Sequence, residues 1–252
     1  MPSTQKDLSP LTPRDRLAVA LDLPSEQEAM KLVDRLGNTC QWFKVGMELY
    51  YAAGNSIVQQ LRDRGFNVFL DLKLHDIPNT VAGAVRSVAQ AGASLLTIHA
   101  GGGAAMMSAA AEAASAPGSP RLLAVTVLTS MDANELTGIG ITASPAEQVL
   151  RLAKLAQASG IDGMVCSAEE VATLRKETGP NTLLVIPGIR PAGSAVQAAF
   201  GTDQRRIATP AQAITHGASM LVVGRPITRA HNPAEAAHAI LQEIEQAQTP
   251  AR

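Results

Sequence analysis

Cysteine and aromatic residues are scarce in this chain of 252 residues, and their scarcity argues against several classes of protein. The two cysteines, Cys40 and Cys166, form no C-x-x-C pair, so we expect buried, inert thiols rather than a disulfide scaffold or a metal site. One Trp, two Tyr and four Phe offer little for base stacking, and 21 Lys and Arg against 22 Asp and Glu give no basic excess. The composition therefore argues against a protein that binds polymeric nucleic acid.

Long apolar runs are also missing from the chain. The longest, such as Leu122–Leu128, have the length of a strand and fall short of the roughly 20 residues that a membrane span needs. The N-terminal residues are polar and contain several prolines, without the apolar core of a secretory signal. We therefore predict a cytoplasmic protein with no membrane association. Its expected organisation is a flexible leader over 1–15, one catalytic domain over 16–246 and a tail over 247–252.

Eight short runs rich in leucine and β-branched residues recur along the chain. They are almost continuously apolar, which is typical of parallel strands buried on both faces. The runs are Leu17–Leu23, Phe43–Gly46, Val68–Leu74, Leu95–Ala100, Leu122–Thr129, Gly163–Ser167, Leu183–Gly188 and Met220–Gly224. Amphipathic segments separate them, and four of these open with a capping-box pattern at Ser25, Ser144, Ser167 and Thr209. The alternation predicts a single-domain (β/α)8 TIM barrel, with a doubly wound sheet as the alternative. No G-x-G-x-x-G follows the first run, which weakens that alternative.

In such a barrel the active site is built at the carboxyl ends of the strands, where this chain carries polar and charged residues. The strand-end groups are Asp22, Lys44, Asp71, Lys73, His99, Thr129, Ser130, Ser167, Arg190 and Arg225. Along the third strand, alternation places Leu70, Leu72 and Leu74 on one face and Asp71 and Lys73 on the other. We expect the leucines to pack on helices, which turns the two charged residues toward the barrel interior.

Charges in a barrel interior need partners, because an unpaired buried charge is costly. Asp76 lies three residues after Lys73 and adds a second carboxylate, and Lys44 on the preceding strand adds a second ammonium. An alternating Lys/Asp array is nearly neutral and favours the charged form of Lys73. A purely structural ion-pair network is the alternative interpretation of the same residues.

The last two strand ends indicate an anion site. Loops after strands seven and eight commonly bind phosphate in this architecture, and here they carry Pro187–Arg190 and Gly224–Pro226. Glycine lets backbone N–H groups approach phosphate oxygens, and arginine offers a two-pronged donor. The loop over 191–206 is long enough to act as a lid. The five histidines show neither H-x-H nor H-E-x-x-H spacing, so no metal centre is predicted.

Taken in chain order, these residues resemble the orotidine 5′-phosphate decarboxylase family. The motif D-x-K-x-x-D occurs within DLKLHDIPNT, and the family's other blocks resemble ALD, FKVG, VTVLTS, PGIR, DQRR and VGRP, from about Leu17 to Ile240. The resemblance implies a lyase, free of metal and cofactor, that converts orotidine 5′-phosphate to UMP and carbon dioxide in pyrimidine biosynthesis. The stretch between Arg190 and Asp203 departs from the family's pattern, since it is longer and richer in alanine.

The resemblance also implies roles for single residues. Lys73 would donate the proton to C6 as the carboxylate leaves, Asp71 would face that carboxylate, and Lys44 and Asp76 would complete the network. The implied substrate-binding residues are Asp22, Lys44, Asp71, Thr80, Thr129, Arg190, Gln204, Gly224 and Arg225, with Asp22 on the ribose and Gln204 and Arg225 on the phosphate. The family's counterparts of Asp76 and Thr80 reach the partner subunit's site, which implies a homodimer.

Three other functions are compatible with parts of this pattern. A metal-dependent sugar-phosphate decarboxylase or aldolase-like enzyme of the same superfamily would carry an acidic ligand where Lys44 stands. Schiff-base chemistry at Lys73 needs a neutral amine, which Asp71 and Asp76 oppose. A non-catalytic sensor of a phosphate ligand would need the barrel but not the whole Lys/Asp array.

Overall fold

The computed structural model describes residues 11–191 and 207–248 of the chain. Eight parallel strands pair in chain order within these residues, and β8 pairs with β1, so the sheet is a closed barrel. The strands are β1 (Leu17–Ala20), β2 (Trp42–Gly46), β3 (Asn67–Leu74), β4 (Leu95–His99), β5 (Arg121–Val125), β6 (Gly163–Val165), β7 (Leu183–Ile186) and β8 (Met220–Val223). The predicted (β/α)8 barrel is confirmed, and the alternative of a doubly wound sheet is wrong.

The barrel has two apolar layers, because alternate side chains of each strand point to opposite faces of the sheet. Ala18, Phe69 and Leu95 belong to a cluster inside the barrel. Leu70 and Leu96, their neighbours in sequence, belong to the larger cluster between the sheet and the helices. This division explains why the strand runs are almost continuously apolar. Polar groups inside the barrel are therefore expected at the carboxyl ends of the strands.

Helices connect the strands and cover the outer face of the barrel. They are α1 (Glu26–Leu36), α2 (Met47–Ala53), α3 (Asn55–Asp63), α4 (Pro78–Ala91), α5 (Gly103–Ala113), α6 (Ala133–Gly138), α7 (Pro145–Ala158), α8 (Val171–Thr178), α9 (Pro210–Thr215), α10 (Arg225–Thr228) and α11 (Pro233–Gln248). The predicted caps at Ser25, Ser144 and Thr209 are confirmed, since each side chain accepts a hydrogen bond from the first-turn backbone. Such caps satisfy donors that have no partner inside the helix.

One predicted helix start is wrong. Ser167 does not cap a helix, because α8 begins at Val171 and the residues before it form a turn. The Glu170 carboxylate accepts hydrogen bonds from the Ser167 hydroxyl and, at 3.0 Å, from the Ser167 backbone N–H. The side-chain pattern of a capping box is therefore present, but it stabilises a turn that precedes the helix.

The described ends of the chain pack on the amino-terminal end of the barrel. A 3-10 helix, Pro13–Arg16, leads into β1, and the last helix runs to Gln248, past the predicted domain boundary at 246. The Gln248 side chain donates a hydrogen bond to the Leu11 carbonyl at 3.4 Å. Across the two described ranges, no helix has the length and apolar character needed to cross a bilayer.

Candidate active site

A cavity of about 410 Å³ opens at the carboxyl ends of the strands. The predicted site residues that line it are Asp22, Lys44, Asp71, Lys73, Thr129, Arg190, Gly224 and Arg225. They come from β1, β2, β3, β7 and β8 or from the loops that follow these strands and β5. The strand-end groups His99, Ser130 and Ser167 are not among the described residues that line this cavity. The barrel therefore gathers residues that are far apart in the sequence into one small volume.

Four charged side chains of the cavity form an alternating chain. The Lys44 Nζ lies 2.8 Å from the Asp22 Oδ1 and 3.6 Å from the Asp71 Oδ2. The Lys73 Nζ lies 2.9 Å from the Asp71 Oδ1. The side chains of Lys44 and Asp71 are 9% and 14% exposed, so the centre of the chain is shielded from water. The predicted pairing of Lys44, Asp71 and Lys73 is present, and Asp22 supplies the second carboxylate.

Asp71 is the central carboxylate of this chain and is held in its charged form. Burial acts to raise the pKa of Asp71, but the ammonium groups of Lys44 and Lys73, with hydrogen bonds from Lys73 and Thr97, act more strongly in the opposite direction. Its pKa is therefore lowered from the ordinary value. An ionised Asp71 at neutral pH places a fixed negative charge between two ammonium groups.

Lys73 stands on an irregular stretch of β3. The pairing of β3 with β4 steps from Leu70 opposite Leu96 to Leu74 opposite Ile98, so β3 contains extra residues at this point. Lys73 has φ of 49°, a left-handed conformation that is unfavourable for a residue with a side chain. It is the one non-glycine residue with positive φ in the described part of the chain. Backbone strain of this kind is concentrated at functional sites.

Thr97 on β4 is a site residue that the sequence analysis missed. It is fully buried, and its Oγ1 accepts a hydrogen bond from the Lys73 backbone N–H at 2.8 Å. The same hydroxyl lies 3.0 Å from the Asp71 Oδ1 and donates to it. A signal was present in the sequence, since Thr97 is a polar residue in the middle of the apolar run Leu95–Ala100, on the barrel-facing side with Leu95.

Gly46 is a second residue that the sequence analysis missed. A Cβ at this position would lie 2.9 Å from the Asp22 Oδ1 and 3.0 Å from the Lys44 Nζ. Both distances are shorter than ordinary contacts, so a larger side chain would push this ion pair apart. The absence of a side chain at the end of β2 is therefore part of what lets Asp22 and Lys44 meet.

The cysteines are both buried, as predicted, but their surroundings differ. Burial raises the pKa of the Cys40 thiol to about 12, against a weaker opposing effect of Arg14, so this thiol is protonated and unreactive at neutral pH. Cys166 lies just beyond β6 and forms part of the cavity wall. Sequence analysis had given Cys166 no place near the site.

Two arginines mark the ends of β7 and β8. Arg190 is 6% exposed, and its backbone N–H donates to the Ala208 carbonyl at 2.9 Å, which joins Arg190 to the residues just before α9. Its Nη1 is buried without a hydrogen-bond partner among the described residues, and the side chain lines the cavity. Arg225 begins α10 directly after Gly224. This side of the cavity therefore carries cationic groups suited to an anion.

Asp76 and Thr80 stand apart from the cavity of their own chain. Both are exposed, at the start of α4, and the Asp76 carboxylate accepts a hydrogen bond from the Ile77 backbone N–H at 2.7 Å. Asp76 and Ile77 border a second, open hollow of about 560 Å³ together with Gly101. Within one chain, the described residues do not bring Asp76 to Lys73. Gln204 and residues 192–206 of the predicted lid over 191–206 lie outside the described residues.

His75 and His99 form a pair beside the charged cluster. Their ring centroids are 5.3 Å apart. The pKa of His99 is lowered first by burial and then by His75 and Lys73, against the opposing effect of Asp71. Among the residues described, no three His, Cys, Asp or Glu side chains are grouped so that they could hold a metal ion.

The fold and the cavity together define a class of protein. A closed parallel barrel that holds an ion-paired lysine–aspartate cluster and two cavity-lining arginines at the carboxyl ends of its strands has the arrangement of a TIM-barrel enzyme acting on a small anionic molecule. The site lies where such enzymes carry their chemistry.

Comparison with known families identifies the particular group. The family model of the orotidine 5′-phosphate decarboxylase / HUMPS family matches residues 15–240, and the chain belongs to this family. Orotidine 5′-phosphate decarboxylase of Halorhodospira halophila is 54% identical over 91% of this chain and 95% of its own length. The enzyme of that name from Actinobacillus succinogenes is 52% identical over 89% of this chain and 96% of its own. The resemblance predicted from the sequence is confirmed.

Solved structures agree with this assignment. The crystal structure of orotidine 5′-phosphate decarboxylase from Lactobacillus acidophilus matches with a TM-score of 0.80 and 42% identity, over 91% of this chain and 99% of that one. A crystal structure of an uncharacterized conserved protein from Geobacillus kaustophilus matches with a TM-score of 0.78 and 39% identity, over 90% and 99% of the two chains.

Proposed function

We propose that this protein is an orotidine 5′-phosphate decarboxylase, which converts orotidine 5′-phosphate to UMP and carbon dioxide. The observation that carries the proposal is the series of ion pairs that joins Asp22, Lys44, Asp71 and Lys73 at the cavity. The sequence is also about half identical to those of enzymes with that name. UMP is a pyrimidine nucleotide, so the reaction belongs to pyrimidine biosynthesis. The cytoplasmic location of the protein stays a prediction.

The chemistry requires a group that stabilises negative charge at C6 of the pyrimidine ring. When the bond between C6 and the carboxylate carbon breaks, carbon dioxide leaves and the electron pair stays on C6. The Lys73 ammonium, held by Asp71 at 2.9 Å, would stabilise this charge and transfer a proton from Nζ to C6. Asp71 would face the substrate carboxylate and favour its departure by repulsion.

The two arginines would hold the far end of the substrate. Arg225 after β8 would bind the phosphate, as the family resemblance implies, together with Gln204, and the buried Arg190 guanidinium offers a further donor to the ligand. Contacts to a phosphate remote from C6 supply binding energy that can be used to orient the reacting ring. Asp22 and Thr129 line the same cavity. As the family resemblance implies, Asp22 would contact the ribose and Thr129 would also contact the substrate.

We further propose that the reaction uses no metal ion or organic cofactor. The Lys44 ammonium stands between the carboxylates of Asp22 and Asp71, at 2.8 and 3.6 Å, where a divalent cation would otherwise find its acidic ligands. A positive charge in this position repels a metal ion. This argument distinguishes the protein from the metal-dependent alternative, and full activity in the presence of EDTA is the expected result.

The direct test is an ultraviolet assay of purified protein mixed with orotidine 5′-phosphate. We expect the absorbance of the orotate ring to change at a rate proportional to protein concentration, with UMP as the product. Absence of turnover would contradict the proposed function. Borohydride trapping of a substrate adduct on Lys73 would instead support Schiff-base chemistry.

We also propose a homodimer in which Asp76 and Thr80 complete the partner's site. Both are exposed and neither lines the cavity of its own chain, and the neighbouring Ile77 is 67% exposed, as expected of a residue that a partner covers. The test mixes two inactive variants, Lys73→Ala and Asp76→Ala, which place one intact site in each mixed dimer. Random exchange predicts recovery of about a quarter of wild-type activity. No recovery from subunits shown to exchange would contradict the shared site.

A further inference from the structure

Thr97 occupies an unusual place in the sheet. It is fully buried in β4 with its side chain on the inner face of the barrel, directly below the charged cluster. The inner layer of the barrel around it is apolar, with Leu95 and Leu123 as its neighbours on β4 and β5. A hydroxyl in such surroundings is costly unless its hydrogen bonds are made. Thr97 makes two, and both go to the residues on which the proposed reaction depends.

The first hydrogen bond satisfies a backbone donor where the pairing of β3 is irregular. Between Leu70 and Leu74 the strand takes four steps where β4 takes two, from Leu96 to Ile98. Thr97 is the single β4 residue that faces this bulge. The Lys73 backbone N–H donates to the Thr97 Oγ1 at 2.8 Å. A side-chain hydroxyl thus accepts the bond that a backbone carbonyl accepts in a regular ladder, and the left-handed backbone of Lys73 gains a fixed partner.

The second bond follows from the first. An amide N–H can only donate, so the Thr97 hydroxyl must accept from Lys73, and its own proton is directed to the Asp71 Oδ1 at 3.0 Å. The same Oδ1 accepts a hydrogen bond from the Lys73 Nζ at 2.9 Å. The three residues therefore form a closed cycle, in which Lys73 is held at its backbone by Thr97 and at its ammonium by Asp71.

We propose that Thr97 is a positioning residue for the decarboxylation: its hydroxyl fixes the strained backbone of Lys73 and the orientation of the Asp71 carboxylate, and so sets the direction of the Lys73 ammonium. The inference rests on the proposed function. Thr97 does not line the cavity, so it acts on the substrate through Lys73 and Asp71. Positioning errors of about 1 Å are enough to slow catalysis by large factors.

The test compares two substitutions of nearly equal size. Thr97→Val keeps the shape but removes the hydroxyl, and Thr97→Ser keeps the hydroxyl but removes the methyl group. We expect Thr97→Val to lower kcat by roughly 10- to 100-fold with KM changed by less than about threefold, because Arg190 and Arg225 are untouched. Thr97→Ser is expected to keep kcat within about threefold of wild type. Equal losses in both variants would overturn the inference.

The pH profile gives a readout that a purely structural role would not change. Asp71 faces Lys44 from β2, Lys73 on its own strand and His99 from β4. Loss of the Thr97 hydrogen bond removes a group that favours the charged form of Asp71. The acid limb of the pH profile of kcat should therefore move to higher pH in Thr97→Val and stay in place in Thr97→Ser. An unmoved limb in Thr97→Val, with unchanged kcat, would contradict the inference.

Two controls separate the possible failures. Turnover by the wild type tests the proposed function alone, whereas the ratio between variants tests the role of Thr97. Crystal structures need no turnover: we expect φ of Lys73 to leave the left-handed region in Thr97→Val and to remain there in Thr97→Ser. If Thr97→Val does not fold, Thr97→Ala removes the hydroxyl without placing a methyl group against Asp71. An unchanged Lys73 backbone and Asp71 orientation in the hydroxyl-free variant would overturn the inference.

Discussion

The two ends of the barrel both hold buried charges, but they hold them differently. At the carboxyl end, which we call the mouth, lysines pair with carboxylates beside the cavity. At the amino end, which we call the floor, the guanidinium groups of Arg16 and Arg175 donate mainly to backbone carbonyls. A buried charge by itself therefore does not indicate catalysis. The groups that surround it, and whether it faces a cavity, decide its role.

Arg175 shows how the floor is built. Its Nε and Nη2 donate to the Gly217 carbonyl at 3.0 and 2.8 Å, and its Nη1 donates at 2.8 Å to the carbonyls of Gly179 and Thr182. Nη2 also donates to the Ser219 hydroxyl at 2.9 Å. Arg175 lies in the last turn of α8, so the same charge lies near the negative end of the helix dipole. These bonds join α8 to the segments that lead into β7 and β8, and a guanidinium used in this way has no role left in chemistry.

The mouth keeps its charges available. The Lys73 side chain is 27% exposed and lines the cavity, and its ammonium is paired with Asp71 alone among the described carboxylates. Its backbone is strained, whereas no such strain occurs at the described arginines of the floor. We therefore expect changes at the mouth to affect activity more than stability, and changes at the floor to do the opposite.

The largest expected effect is that of Lys73→Ala. Loss of the ammonium should lower kcat/KM by roughly 10³-fold or more, because it removes the proposed proton donor and the proposed stabilising charge at C6 together. Lys73→Gly should be as inactive but about 1 kcal/mol more stable than Lys73→Ala, since glycine accepts the left-handed backbone. Steady-state kinetics and urea unfolding measure the two effects. Substantial turnover by either variant would contradict the proposed role of Lys73.

Arg225→Ala tests the anion side of the mouth. We expect kcat/KM to fall by about 10²-fold, because the proposed charged donor to the phosphate is lost. Arg229→Ala is the matched control, since Arg229 is exposed, follows α10 and does not line the cavity. The control should stay within about twofold of wild type. Equal kcat/KM for the two variants would contradict the proposed role of Arg225 in substrate binding.

Arg175→Ala tests the floor. Several buried carbonyls would lose their donor, so we expect the free energy of unfolding to fall by about 3 kcal/mol. The kcat of the folded fraction should stay within about twofold of wild type. Lys176→Ala, at an exposed position on the same helix, should change stability by less than about 0.5 kcal/mol. A large fall in kcat with unchanged stability would contradict the view that Arg175 contributes to stability and not to catalysis.

The smallest effect concerns the stability contributed by Asp71. Its pKa is lowered in the folded protein, so the ionised form contributes stability that is present above the unfolded value of about 3.9 and is lost as pH falls through the folded value. We expect any advantage of wild type over Asp71→Asn in the free energy of unfolding to decline as pH falls below about 4. Urea unfolding of both proteins between neutral and acid pH measures it. If the stability advantage of wild type over Asp71→Asn grew as pH fell, the pKa of Asp71 would not be lowered in the folded protein.

Much of this molecule could be predicted from single-residue patterns. The near-continuous apolar runs predict strands covered on both faces, and all eight strands occur where the runs lie. Alternation along β3 correctly turned Asp71 and Lys73 inward, because a strand directs successive side chains to opposite faces. The order of the strands predicted an anion site at the last two loops, and Arg190 and Arg225 do line one cavity. Phosphate binding there stays a prediction.

What could not be predicted depends on contacts between strands. Regular alternation gives no reason to expect the bulge of β3, so the left-handed backbone of Lys73 and its bond to Thr97 were missed. Sequence proximity suggested Asp76 as the nearby second carboxylate, yet within one chain Asp22 pairs with Lys44. That contact depends on β1 pairing beside β2 and on the space left by Gly46, neither of which one segment alone reveals.

The left-handed backbone at Lys73 also bears on protein design. A procedure that chooses residues for stability alone would place glycine at this position, since every other residue is strained there. The same procedure would replace Asp71, Lys44 and Thr97 by apolar residues of similar volume. The redesigned barrel would keep its shape and lose its reactive end. Any stabilised version of this protein therefore has to hold these four residues fixed while the floor is optimised.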